Sequence, residues 1–146
     1  MKSIRLADID LVEWGTERDD SIWSRSAAPL TPGNPGAGEI AAEDCVVVYF
    51  ELDPGKRLGT HIDSEEEILL VLEGTVTVTV GDDEGTLSAG ELAVVPQNEP
   101  HDVQNSGDGQ AAVIGFFPEG EVTHTATESA VPSEERKAVT KPGTGN

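Results

Sequence analysis

The chain has 146 residues, enough for one domain with its own apolar core. Its 28 acidic against 9 basic residues give a formal net charge of −19, which argues against nucleic acid and against an anionic membrane surface, since both call for clustered Lys and Arg. The single cysteine, Cys45, excludes an intrachain disulfide framework and a cysteine-based zinc site. No apolar stretch approaches the ~20 residues that span a bilayer.

The acids are spread along the whole chain, and Lys occurs only at Lys2, Lys56, Lys137 and Lys141. Such a surface repels itself at low salt and is screened at high salt, and the composition resembles that of proteins from salt-accumulating halophiles. The start, Met1 to Arg5, is followed by Asp8 and Asp10 rather than by an apolar run. That pattern is not a signal peptide, so the cytoplasm is the expected compartment.

In chain order, residues 1–40 read as an N-terminal arm ending in a Pro/Gly loop, Pro29 to Gly38. The arm holds both tryptophans, Trp14 and Trp23. Two large aromatics outside the clear strand patterns predict that it packs onto a barrel or onto a second subunit. Val46 to Leu52 is a β-branched and aromatic run, and Cys45 before it reads as a buried small hydrophobe. A turn at Asp53-Pro54-Gly55 follows, then the apolar run Ile68 to Leu72 and a second turn at Glu73-Gly74. Thr75 to Val80 alternates strictly, the period of a half-buried strand, and Gly81 to Gly85 closes a hairpin. Leu92 to Val95, His101 to Gln104 and Ala111 to Phe117 are further short strands.

Many short strands without a long helical period predict an all-β sandwich or barrel over residues 41–124. Residues 125–146 are rich in Thr, Ser, Glu and Pro and read as a polar C-terminal tail. Ser133 is the expected N-cap of a short helix there, and Lys141 to Asn146 a loose end.

Four side chains form a candidate metal set. His61 and Asp63 are two apart, a spacing that places both on one face of a strand. Glu67 follows closely enough for an adjoining loop and strand to return it to that face, with Glu66 as the substitute if the register slips by one. His101 opens a distant strand. A first-row divalent ion accepts imidazole nitrogen and carboxylate oxygen together, and such a set leaves positions open for water or substrate. The third histidine, His124, lies among threonines after the last clear strand and reads as a surface residue.

The spacing around these residues is specific. Gly55, His61, Asp63, Glu67 and Gly74 give G-x5-H-x-D-x3-E-x6-G, and Gly90, Pro96, Asn98, His101 and Asn105 give G-x5-P-x-N-x2-H-x3-N. The two strings resemble the paired motifs of the cupin superfamily, and the likeness covers roughly Val46 to Phe117. It departs at Asp63, where a second histidine is usual, and at Asn98, where a glycine is usual.

The resemblance implies a single cupin-type jelly-roll barrel holding one divalent metal through His61, Asp63, Glu67 and His101. Two histidines and two carboxylates favour iron, manganese or zinc over softer ions. The implied protein is a small-molecule enzyme of oxygenase, isomerase or lyase type, dioxygenase-like first, with Glu67 doubling as general base. The alternative is a non-catalytic small-molecule or metal-binding sensor. A small-molecule ligand and a homodimer are the expected partners, the arm being able to add to a neighbour's sheet.

Overall fold

The computed structural model describes residues 1–34 and 37–141. Two strands, β1 (Val12–Thr16) and β2 (Asp19–Ala27), form a hairpin from the N-terminal arm. The barrel strands follow: β3 (Val46–Leu52), β4 (His61–Asp63), β5 (Glu67–Glu73), β6 (Thr75–Val80), β7 (Asp83–Ser88), β8 (Leu92–Val95), β9 (His101–Asn105) and β10 (Ala111–Phe117). Two more, β11 (Val122–Ala126) and β12 (Lys137–Thr140), come from the C-terminal segment. They assemble into two six-stranded sheets, β1-β2-β3-β10-β5-β8 and β12-β11-β4-β9-β6-β7, with antiparallel pairing throughout. This is the all-β jelly-roll expected. Among the described residues no helix is long and apolar enough to cross a membrane.

Alternation places the core between the sheets. On β6 the valines Val76 and Val78 point inward, with Thr77 between them facing out. They meet Phe50, Leu69, Val103 and Val113 in one cluster. Burying each of these side chains contributes about 2 kcal/mol of transfer free energy. A smaller cluster of Val46, Phe117 and Val122 closes the other end. Tight turns let the strands reverse. Gly74 sits at φ +80, where a side chain is strained and a Cβ would strike the Gln110 carbonyl.

The arm packs on its own barrel. β2 pairs with β3 of the same chain, leaving β1 as the sheet edge, and the Trp23 ring covers Gly15, where a Cβ would collide with it. The C-terminal segment is tied down more than its polar composition implies. β12 pairs with β11, and Val131 and Thr140 are buried. The expected helix at Ser133 is a single 3₁₀ turn, Ser133–Glu135, preceded by Pro132. The Ser133 hydroxyl bonds Glu134 rather than capping a backbone N–H. Cys45 is half-buried rather than buried, since it stands just outside β3. Of the expected loose end, only Lys141 lies within the described residues.

One half-buried guanidinium joins arm, barrel and C-terminal segment. Arg57 reaches Asp19 at 3.0 Å, Asp102 at 2.9 Å and Glu128 at 2.5 Å. Its hydrogen bond to Glu128, with Asp102 beside it, holds it charged well above the ordinary arginine range. Asp102 in turn accepts the Gly59 N–H at 2.9 Å, which braces the turn that leads into His61.

Candidate metal centre

The site is one polar layer in an otherwise apolar barrel. Along β5 the inward positions run Glu67, Leu69, Val71; along β9 they run His101, Val103, Asn105. Strand period alone therefore sets Glu67 and His101 one step from the core cluster. On the neighbouring strand β10, Gly115 pairs with Leu69 of β5 and Val48 of β3, beside the Glu67 carboxylate. A Cβ there would collide with the Glu67 carboxylate and crowd Val48, so the glycine makes room for the acid. β4 supplies His61 and Asp63, and His61 lies directly opposite His101 in the β4–β9 pair. Glu66 points to solvent, so the register selects Glu67.

Backbone carbonyls set the tautomers. Nδ1–H of His61 donates to the Gly59 carbonyl and Nδ1–H of His101 to the Glu99 carbonyl, both at 2.8 Å. Each neutral ring then presents an Nε2 lone pair inward. Asn98 contributes to this turn. It adopts φ 59, the left-handed region that asparagine tolerates best after glycine, and its N–H donates to the Asp63 carbonyl at 2.8 Å. The departure from glycine is thus conformationally matched. Asn105 ties the far end of β9 down, donating to the Leu52 and Gly109 carbonyls at 2.8 Å.

The inward atoms converge. Nitrogens of His61 and His101 and an oxygen of Asp63 all lie within 4.8 Å of one another. The two imidazole rings are 4.1 Å apart, centre to centre. Asp63 Oδ2 and His101 Nε2 approach to 3.0 Å, yet both are buried and neither completes a well-aligned hydrogen bond. Glu67 stands 3.5 Å from His101 Nε2, just outside the compact trio. A buried group of lone pairs facing lone pairs calls for a cation at its centre, and this donor set fits a divalent ion.

The electrostatics agree. Burial, aided by the neighbouring His101, lowers the His61 pKa to about 4, so its ring is a neutral donor. Burial alone would also lower His101, but its contacts with Asp63, Glu67 and the Glu99 carbonyl raise it to about 10. Without an ion, a proton on His101 takes the cation's place between the two acids. Burial pushes the Asp63 carboxyl up, but the close approach of His101 and the hydrogen bond to His124 outweigh it and hold it well below the usual carboxylate range. Burial raises Glu67 above that range.

His124 belongs to this site and not to the free surface. β11 lies beside β4 with His124 opposite Asp63, and its Nδ1 bonds Asp63 Oδ1 at 2.7 Å. Its Nε2 meets the Thr140 hydroxyl at 3.1 Å, and its ring packs edge-on against Phe117. No spacing motif marks it. The only sequence signal was the β-branched run Val122-Thr123 and Thr125 around it, which favours a strand.

The layer opens into a cavity of about 410 Å³. Its floor carries His61, Asp63, Glu67 and His101; Phe50, Leu58 and Leu69 form apolar walls. The arm and the C-terminal segment shape the mouth, through Val12 and Trp14 on one side and Val131, Arg136 and Val139 on the other. An apolar chamber over a few convergent polar groups is the usual form of a small-molecule site.

Comparison with known proteins agrees with this architecture. The cupin domain family matches residues 48–117. The polyketide cyclase RemF from Streptomyces resistomycificus superposes with a TM-score of 0.62 at 20% identity, over 81% of this chain and 79% of that one. Oxalate decarboxylase from Lactobacillus farciminis, in a formate complex, gives 0.67 at 18% identity, over 84% of this chain but only 34% of that enzyme. A predicted oxalate decarboxylase from Thermotoga maritima gives 0.64 at 16% identity, over 81% of this chain and 99% of that one. No curated protein sequence matches the chain. The two spaced motifs, the jelly-roll and the family match together mark residues 48–117 as a cupin domain.

Proposed function

We propose that this protein is a metal-dependent enzyme acting on a small organic molecule in the barrel. His61, Asp63 and His101 would hold one divalent ion (iron, manganese or zinc), with Glu67 as the fourth donor. The observation that carries this reading is the pair of buried, unpartnered atoms, Asp63 Oδ2 and His101 Nε2, at the floor of a cavity open to ligand. When bound, a divalent ion supplies a Lewis acid for a carbonyl or, as iron, a centre for oxygen chemistry.

The chain's own residues do the rest. The Gly59 and Glu99 carbonyls keep both imidazoles in the ligating tautomer. Apolar walls of Phe50, Leu58 and Leu69 flank the reacting face. Glu67 lies outside the compact trio with a raised pKa, so its carboxylate is suited to accept a proton from a substrate carbon or hydroxyl. These features support an oxygenase, isomerase or lyase, dioxygenase-like first.

The test is metal content after purification in high salt. One equivalent of iron, manganese or zinc is expected, falling to background in His61→Ala and His101→Ala. Equal metal in the wild type and both variants overturns the reading. Oxygen consumption with catechol, thiol and β-diketone compounds then tests turnover. Metal and ligand uptake without turnover of any of them would make the protein a binding module instead.

A further inference from the structure

Four of the nine Lys and Arg residues, Arg5, Arg25, Arg57 and Lys141, sit in ion pairs with acids among the described residues. Arg136 does not, although 28 acids are available. It lines the cavity, where it is the only Lys or Arg among the described residues. Its Nε–H donates to the Val131 carbonyl at 2.8 Å, and no carboxylate pairs with it. That single bond orients the planar guanidinium and leaves the Nη donors unspent.

Position gives this residue a use. The Arg136 carbonyl accepts the Ala126 N–H at 2.6 Å, and Ala126 pairs with His61 across the β11–β4 ladder. Two interstrand spacings, roughly 10 Å, thus separate its backbone from that of His61. A ligand lying on the floor can reach the guanidinium without leaving the chamber. Charge points the same way. The other charged groups lining the cavity, Asp63 and Glu67 on the floor and Glu135 at the rim, are all acids. Arg136 is then the fixed positive end of the cavity, and its fork matches a planar carboxylate.

We propose that Arg136 anchors a carboxylate at the outer end of a small, apolar-bodied ligand whose other end lies against His61 and His101. The inference rests on reading the cavity as a small-molecule site, and not on the metal.

The test titrates benzoate and its neutral isostere benzamide onto the full chain stripped of metal, at moderate salt, by calorimetry. Benzoate is expected to bind more tightly. Arg136→Gln should weaken benzoate about tenfold and leave benzamide unchanged. Arg136→Lys keeps the charge but loses the fork, and should fall between the two. Thermal melts confirm that each variant is folded; if Arg136→Gln is not, Arg136→Lys carries the comparison with wild type. A wild type that takes benzoate no better than benzamide overturns the proposal, and so does a benzoate preference that survives in the folded variants. Because the protein is stripped, a failure of the metal reading would leave these results unchanged.

Discussion

The barrel floor and the cavity mouth are built in different ways. The floor comes from residues 48–117, the stretch that matches the cupin domain, and its side chains are placed by strand period and by two spaced motifs. The mouth comes from the two ends of the chain, where Trp14, Val131, Arg136 and Val139 are placed by contacts between segments far apart in sequence. Arg57 holds the two parts together through Asp19, Asp102 and Glu128. In the proposed reading the floor would hold the ion and the mouth would select the ligand. His124 breaks the division. It lies past the matched domain, yet its hydrogen bond at 2.7 Å orients the floor carboxylate Asp63.

The sharpest way to break the comparison is therefore His124→Ala. Removing an outer partner that orients a ligand carboxylate should weaken metal affinity about 10- to 100-fold, read by competition with a chelator. Unchanged affinity would return His124 to the mouth and leave the floor self-sufficient.

A smaller effect is expected from pH on protein stripped of metal. The His101 pKa is raised to about 10 from 6.5, so its contribution to stability is whole below pH 6.5 and is lost as pH rises through about 10. The His61 pKa is lowered to about 4, so its contribution is present above pH 6.5 and is lost as pH falls through about 4. The Tm should peak near pH 6.5 and fall on both sides. His101→Asn should flatten the alkaline side. An alkaline slope identical in that variant would show that the floor is not held by the His101 proton.

The smallest expected effect isolates the mouth. Trp14→Ala should leave metal content unchanged and weaken benzamide about fivefold, or ~1 kcal/mol of lost apolar contact. A parallel loss of metal would mean that the arm supports the floor and that the two regions are not separable.

By itself the sequence determined the barrel and the inner layer of the site. Strand alternation is a local property, so Thr75 to Val80 announces its buried face without any partner. The same period carries His61 with Asp63, and Glu67 in line with Leu69. The motif spacings then place His101 opposite His61, because fixed loop lengths fix the register between β4 and β9. Tertiary structure decided what lies outside that layer. His124 gains its role only when β11 docks on β4, and the polar segment after it is ordered only because β12 and Val131 find apolar and ladder partners. Arg136 acquires meaning because, among the described residues, no acid pairs with it in the cavity, which no linear pattern records. Asp63 needed both levels. The sequence showed a carboxylate where a histidine is usual, and only the fold showed that His101 and His124 flank it.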